Sequence, residues 1–268
     1  MKRQNKKSII SVIAIIMLVS ITVCFSFAVS SEEKAKVSLR IEGDTECLYS
    51  TTEEVAAGST LKALLEAVNT KASLQMVGLE TNYITSIKGL SAAKYGGWDG
   101  WLYSVNGVVP TDSISDIKLK SGDEVVLFYG DPYGVGFQYP ELEISDGSIL
   151  VYSMDTEYDA AYNPIVKKKA VASASVSIFD PSGKEYKYVT NENGVIAVDS
   201  ALLKPGTYTY KIEKYAQNGL PLVLRVKEGA SYTVSSSPAT SDVSVVVAVI
   251  SAISLSLGTV YIRRKTTR

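Results

Sequence analysis

An aromatic-rich segment in the first half of the chain carries the residue types best suited to binding chemistry. Within it, Trp and Tyr alternate with small residues and lead to an Asn-Gly pair. Trp and Tyr combine a large flat apolar face with a polar tip, so they suit both the edge of a core and a platform for a ligand. We predict that six residues of this segment contact a ligand: Tyr95, Trp98, Trp101, Leu102, Tyr103 and Asn106.

The residue counts remove several classes of catalysis. Histidine is absent from all 268 residues, which excludes Ser-His-Asp and Cys-His nucleophilic catalysis and His-ligated zinc. Carboxylates remain in the segment, but turn and cap roles account for each of them: Asp99, Asp112, Asp116 and Asp123. The sequence therefore predicts a protein that is not an enzyme, holds no metal and requires no cofactor.

Two strands are predicted to position the aromatic residues. Trp101–Val105 reads as a strand that ends at an Asn-Gly turn, and Glu124–Tyr129 reads as a second strand rich in β-branched residues. Strict alternation puts Trp101 and Tyr103 on one face of the first strand. The sequence leaves open whether Trp101 fills the core or faces a ligand. Trp98 lies in a glycine-rich loop without a periodic partner and is expected to be exposed.

The preceding residues supply a helix and further strands. Val37–Ile41 alternates like a half-buried strand, and Tyr83–Ile87 reads as another strand. Between them, Ser59 or Thr60 caps a helix whose apolar residues recur at helical spacing: Leu61, Leu64, Leu65 and Val68. This order predicts an α+β domain of the β-grasp type over residues 36–131.

A family resemblance rests on the run Gly97–Gly107, on Lys120–Val126 and on Tyr83–Gly89. Residues 36–131 resemble the C-terminal β-domain of transcobalamin and intrinsic factor, and a related bacterial domain family of unknown function. In transcobalamin-like proteins the corresponding strand and loop press on a corrin ring and close it against a large helical domain. The resemblance implies cobalamin as a ligand, although this chain lacks that helical domain.

A second, all-β unit is predicted over residues 142–234, after a linker at 132–141. Turn signals separate six short strands: Ser148–Ser153, Ser173–Phe179, Tyr186–Thr190, Val195–Val198, Thr207–Glu213 and Leu222–Val226. This spacing predicts an immunoglobulin-like or prealbumin-like β-sandwich. The turns around Pro181 and Pro205 resemble those of prealbumin-like and collagen-adhesin B-type surface repeats, which implies a stalk.

The N-terminus carries an export signal. Basic residues precede an apolar run from Ile9 to Ala28, which predicts a signal peptide over residues 1–30, with an uncleaved membrane helix as the alternative. Cleavage would leave Cys47 as the one remaining cysteine, so no intramolecular disulfide could form. We expect Cys47 to be a buried or half-buried strand residue.

The C-terminus carries an anchor signal. Residues 243–262 contain no charge and are long enough to span a bilayer as a transmembrane helix, and the basic tail 263–268 is expected to stay in the cytoplasm. The spacer 235–242 resembles the sorting signals of Gram-positive surface proteins, which implies sortase as a partner through Ser237, Pro238, Ala239, Thr240 and Ser241. Covalent attachment to the cell wall and plain membrane anchoring remain open.

The charge balance narrows the choice of partner. Four basic residues lie in 1–7 and four in 263–268, which leaves 19 Lys and Arg against 28 Asp and Glu, a net charge of −9, for the residues between. Such a surface does not suit nucleic acid. Two hypotheses remain for this exported, cell-surface protein: a binding module for a small ligand, with a corrinoid as the leading choice, or an adhesive or scaffolding protein that binds protein or glycan.

Overall fold

The computed structural model describes residues 33–131, 133, 136–145, 147–235 and 247–248. These residues are mostly β-structure, arranged in several sheets, with one α-helix among them. The described residues from Ala35 onward belong to one compact unit. We call residues 35–131 of this unit the first lobe, and residues 136–235 together with 247–248 the second lobe.

The first lobe is built on a four-stranded mixed sheet. The six strands of the first lobe are β1 (Lys34–Glu42), β2 (Cys47–Ala56), β3 (Ser86–Ile87), β4 (Leu90–Ser91), β5 (Gly100–Val105) and β6 (Glu124–Gly130). The sheet has the order β2-β1-β6-β5, in which β1 is parallel to β6 and β5 is antiparallel to β6. The short strands β3 and β4 pair with each other. In the described part of the chain, β5 is therefore an edge strand.

One helix, α1 (Leu61–Ala72), covers one face of this sheet. The Thr60 hydroxyl caps it by accepting the Ala63 N–H at 3.1 Å, and Ser73 ends it in the left-handed conformation. Its buried residues are those predicted from the sequence: Leu61, Leu64, Leu65 and Val68. They share a core with residues of β1 and β6: Val37, Leu39, Ile41, Val125 and Leu127.

The second lobe packs against the opposite face of the sheet. Val126 and Phe128 of β6 form a small buried cluster with Leu224 of the second lobe. The Phe137 ring stacks on that of Phe128, with centroids 5.1 Å apart and 17° between the planes. Gly130 permits this approach, because a Cβ there would lie 2.5 Å from the Phe137 ring. The sheet is thus covered on both faces.

Buried charges also join the lobes. Glu42 of β1 accepts hydrogen bonds from Arg40 Nη1 at 2.7 Å and from Arg225 Nη1 at 2.8 Å. Arg40 Nη1 also donates to the Arg225 carbonyl oxygen at 2.9 Å. Arg40 and Glu42 are both buried, so each charge is compensated at the contact between the lobes.

The second lobe contains two sheets around a shared core. Its strands are β7 (Glu141–Ser145), β8 (Ser148–Tyr158), β9 (Pro164–Ala170), β10 (Ser175–Phe179), β11 (Glu185–Val189), β12 (Val195–Ala197), β13 (Gly206–Glu213), β14 (Ser231–Val234) and β15 (Val247–Ala248). One sheet has the order β11-β10-β13-β14-β15, and the other has the order β12-β8-β7 with β9 paired to β8. Ile149, Val151, Val176 and Ile212 lie in the core between them. This arrangement agrees with the predicted sandwich.

Two predicted strands are wrong in detail. Only Ser86–Ile87 is a strand within the predicted Tyr83–Ile87, because Asn82 is left-handed and the Tyr83 N–H bonds back to the Gly78 carbonyl. Leu222–Val226 is not a regular strand. Instead it makes a single parallel bridge, between Val223 and Gln138. Gln138, which lies in the predicted linker, donates its N–H to the Leu222 carbonyl at 3.0 Å and accepts the Leu224 N–H at 2.9 Å.

The predicted terminal signals lie almost entirely outside the described residues. This holds for the signal peptide at 1–30, for the sorting motif at 237–241 and for the tail at 263–268. Of the predicted helix 243–262, only Val247–Ala248 is described, and these two residues form a strand paired with β14. No helix in the described ranges is long and apolar enough to cross a membrane.

Candidate functional site

The loop between β4 and β5 presents Trp98 to solvent. The Trp98 side chain is 79% exposed, as the sequence predicts. The loop closes on itself through a hydrogen bond of 2.7 Å from the Ala93 N–H to the Asp99 carbonyl. Ala93 and Gly96 have positive φ angles of 59° and 83°, which allows the chain to turn tightly. The loop is therefore an ordered turn with one tryptophan at its tip.

A buried carboxylate, that of Asp99, fixes the loop from inside. Asp99 is 2% exposed and accepts the N–H groups of Tyr95 and Gly97, both at 3.0 Å, and the Tyr129 hydroxyl at 2.5 Å. Burial acts to raise the pKa of Asp99, but the hydrogen bonds from Tyr129, Tyr95 and Gly97 outweigh it and hold this pKa below its usual value. Asp99 is thus an ionised structural anchor.

A second buried carboxylate, that of Asp131, holds two exposed aromatic residues together. Its Oδ2 accepts the Trp98 N–H at 3.2 Å, and its Oδ1 accepts the Tyr133 N–H at 3.1 Å. Tyr133 is 83% exposed. A Cβ at Gly97 would lie 2.9 Å from Asp131 Oδ2, so a side chain there would disturb the anchor. Asp131 therefore fixes the main chain at both Trp98 and Tyr133.

Trp101 and Tyr103 lie on the helix-covered face of β5. Both are half-buried against the core that contains α1. Trp101 donates from Nε1 to the Leu90 carbonyl at 2.9 Å, and its ring meets Tyr129 edge-on at 5.5 Å. The Tyr103 hydroxyl donates to the Asp112 carbonyl. Trp101 therefore packs on the core and keeps part of its surface open.

That open surface belongs to a groove of about 420 Å³ along β5. Trp101, Leu102 and Tyr103 line it from the strand, and Tyr133 lines it from the anchored pair. The rest of the lining comes from two segments of the first lobe, residues 81–84 and 109–114. Tyr83 belongs to the first of these and is itself exposed. We call this the aromatic groove.

The structure brings together only some of the predicted contact residues. Trp101, Leu102 and Tyr103 all line the aromatic groove. The side chain of Leu102 also packs with Phe128 towards the second lobe. Tyr95 donates its hydroxyl to Asp44 at 2.7 Å, within a network that includes Lys94.

Asn106 has a structural role. It has a positive φ of 53° and bonds Asp123 at 2.9 Å and the Glu124 N–H at 2.8 Å, so it stabilises the turn after β5. Tyr95, Trp98 and Asn106 do not line the groove. That the six residues named from the sequence contact a ligand stays a prediction. The sequence reasoning did not include Tyr83 and Tyr133 among them, although Tyr133 stands in the aromatic-rich stretch that ends at Tyr139.

Cysteine and carboxylate side chains elsewhere in the described residues could also carry chemistry. Cys47 is a free thiol at the start of β2, and the expectation that it is buried or half-buried is wrong because its side chain faces solvent. Across the described ranges, no three Cys, Asp or Glu side chains are grouped to hold a metal ion.

The comparison with protein families gives one match. Residues 58–131 match the family described as a domain of unknown function, DUF4430. This range contains α1, the loop with Trp98, β5 and β6, and hence most of the aromatic groove. Comparison with curated proteins gives no match.

Solved structures give distant likenesses. Haptocorrin, in a crystal structure with Cbi, is 18% identical with a TM-score of 0.34, over 40% of this chain and 28% of that one. A Ruminococcus gnavus protein to which metal binding has been ascribed is 14% identical with a TM-score of 0.27, over 37% of this chain and 99% of that one. The chain thus spans little more than a quarter of haptocorrin.

Proposed function

We propose that this chain is a non-catalytic binding protein that uses the aromatic groove to hold a flat, largely apolar ligand. The observation that carries the proposal is the joint anchoring of Trp98 and Tyr133 on Asp131, next to a groove floored by Trp101 and Tyr103. Aromatic faces stack on flat ligands, and their anchoring lowers the entropy lost on binding.

The local chemistry supports binding rather than catalysis. The carboxylates of Asp99 and Asp131 accept main-chain N–H groups beside the exposed residues Trp98 and Tyr133. The lowered pKa of Asp99 keeps that carboxyl ionised, which makes it a poor general acid. The proposed role of these acids is to hold the loop in shape.

A corrinoid is the leading ligand within this proposal. The resemblance of residues 36–131 to the transcobalamin β-domain implies it, and haptocorrin has been solved with Cbi. A corrin ring has a wide flat face with polar groups around its rim, which fits an aromatic surface edged by Tyr hydroxyls. The aromatic groove would cover one face only, and no histidine is available as an axial ligand. We therefore expect modest affinity, in the micromolar to millimolar range.

The proposed setting is the outside of a cell envelope. The predicted signal peptide and the apolar C-terminal segment with its basic tail support display of residues 36–234 on the surface. The second lobe would then separate the groove from the envelope. Protease applied to intact cells should degrade the displayed lobes. Full protection of both lobes would contradict display.

Titration of the full chain with cobalamin tests the ligand. Trp98 and Trp101 are the two tryptophans of the protein, so saturable quenching of tryptophan fluorescence, corrected for absorbance by cobalamin, reports on the groove and on the exposed loop that carries Trp98. Tyr133→Ala should weaken binding by about 1–2 kcal/mol because an aromatic contact is lost. Tyr162→Ala is the matched control, since Tyr162 is 86% exposed in the second lobe. If quenching does not saturate up to about 1 mM cobalamin, the binding free energy is weaker than about −4 kcal/mol. That result would reject a corrinoid as the ligand.

A further inference from the structure

The outer edge of β5 exposes main-chain hydrogen-bonding groups. The Asn106 N–H donates to the Glu124 carbonyl at 2.8 Å, and β5 and β6 pair without a bulge from Gly100 to Val105. Antiparallel pairing alternates, so Leu102 and Ser104 direct their main-chain groups towards β6. Trp101, Tyr103 and Val105 therefore direct theirs away from the sheet.

Two of these three residues have no main-chain partner among the described residues. Val105 exchanges hydrogen bonds of 2.9 and 3.1 Å with Val108 across the turn. No main-chain hydrogen bond within the described ranges involves the outward groups of Trp101 or Tyr103. Together they offer two donors and two acceptors, and both residues line the aromatic groove. The groove thus combines apolar walls with a free strand edge.

This edge lacks the features by which proteins block strand addition. Lysine side chains on an edge strand discourage pairing with another chain. β9, which is paired only to β8 in the described residues, carries three of them, and each is paired with an acidic residue: Lys167, Lys168 and Lys169. β5 carries neither a lysine nor a proline. Lysines therefore protect the β9 edge, whereas neither lysine nor proline protects the β5 edge.

The charge at the groove is negative. Asp112 is the one charged residue among those that line it, and no Lys or Arg does so. Asp116 is also close, since burial and then the negative charges of Asp112 and Asp116 raise the pKa of Tyr103. The Asp112 side chain is exposed and able to pair with a cation. A cationic partner is favoured over an anionic one.

We propose that the outer edge of β5 binds an extended segment of a partner polypeptide that carries Lys or Arg, and that this segment adds to the first-lobe sheet as a further strand. Trp101 and Tyr103 would supply the main-chain hydrogen bonds, the aromatic walls would hold alternate side chains, and Asp112 would pair with the cationic residue. This inference names a different class of ligand from the corrinoid and does not depend on it.

A random dodecapeptide display library, selected against the immobilised full chain, provides the probe. Enriched sequences should contain Lys or Arg among β-branched residues. Each enriched peptide is then synthesised in two forms, N-methylated at one or the other set of alternate residues. Methylation of the set facing β5 should weaken binding by about tenfold or more, because each blocked N–H removes a hydrogen bond, whereas methylation of the other set should leave binding nearly unchanged.

Protein variants test whether the charge of Asp112 contributes to binding and whether the peptides bind at the groove. Asp112→Asn should weaken the same peptides by several-fold, whereas Glu192→Gln, an exposed acidic position in the second lobe, should not. The proposal is overturned if no peptide is enriched, if the two methylation patterns act equally, or if Asp112→Asn behaves like Glu192→Gln. Cobalamin takes no part in these readouts, so failure here and failure of corrinoid binding are separate results.

Discussion

Glu42 on β1 is bound at 2.8 Å by Arg225, a residue 183 positions further along the chain. Arg40 binds the same carboxylate from within the sheet. The two arginines therefore share one buried acid, and the contact between the lobes depends on it.

Glu42→Gln should reduce the free energy of unfolding by about 3 kcal/mol, because it leaves buried Arg40 without its counter-charge and removes the nearer of the two acids that pair with half-buried Arg225. Urea denaturation of the full chain measures this change. Glu46→Gln, at an exposed position nearby, should leave the urea midpoint unchanged. Equal midpoints for both variants would mean that Glu42 does not hold the lobes together.

Gly130→Ala should destabilise the protein by about 1–3 kcal/mol, because the new Cβ would lie 2.5 Å from the Phe137 ring. Gly100 is the matched control. It pairs with Gly130 across β5 and β6, but a Cβ there meets nothing closer than 3.5 Å. Thermal melts compare the two variants, and Phe137→Leu in the Gly130→Ala background should restore part of the loss. A Gly100→Ala variant that is less stable than Gly130→Ala would contradict the packing argument.

Trp98→Ala should leave the melting temperature almost unchanged, because the side chain is 79% exposed. Trp101→Ala should cost about 3 kcal/mol, because it removes core contacts and the hydrogen bond to Leu90. Thermal melts with tyrosine or circular-dichroism detection measure both. If both variants melted alike, the assignment of one tryptophan to the surface and the other to the core would fail.

Asp99→Asn should destabilise the protein at neutral pH by about 1–3 kcal/mol, because several buried hydrogen bonds to a charged acceptor are weakened. Since the folded protein lowers the pKa of Asp99, its contribution is complete above the unfolded pKa of about 4. It is lost as the pH falls through the lower folded value. Urea denaturation at several pH values should therefore show the wild type approaching Asp99→Asn below about pH 4. A stability gap that stayed constant down to about pH 2 would exclude this origin.

The sequence predicts those parts of the fold that depend on local periodicity. Leu61, Leu64, Leu65 and Val68 recur at helical spacing and form the buried face of α1. Trp98 has no periodic partner and is exposed. β2, in contrast, shows no regular apolar alternation in the sequence, because most of its residues are polar and it lies at the edge of the sheet. Leu222–Val226 reads as a strand, yet its apolar side chains divide between the two lobes.

Only the part of the candidate site that depends on local periodicity could be predicted from the sequence. Trp101 and Tyr103 could be found from their spacing, since alternation puts them on one face of a strand. Tyr83 and Tyr133 join the aromatic groove through tertiary contacts. In particular, the position of Tyr133 depends on Asp131, which also holds Trp98. Two hydrogen bonds that meet at one carboxylate leave no pattern in a linear sequence.

The first-lobe sheet cannot be covered on both faces until late in synthesis. β1 is made first, but its parallel neighbour β6 follows only after α1 and β5, and Leu224 and Arg225 cover the sheet later still. Contacts so far apart in sequence must overcome the entropy of closing a long loop before they stabilise the chain, which slows folding. Meanwhile the emerging chain exposes Val126 and Phe128. We therefore expect nascent chains shorter than about 225 residues to need a holding chaperone, and full-length chains to fold after release.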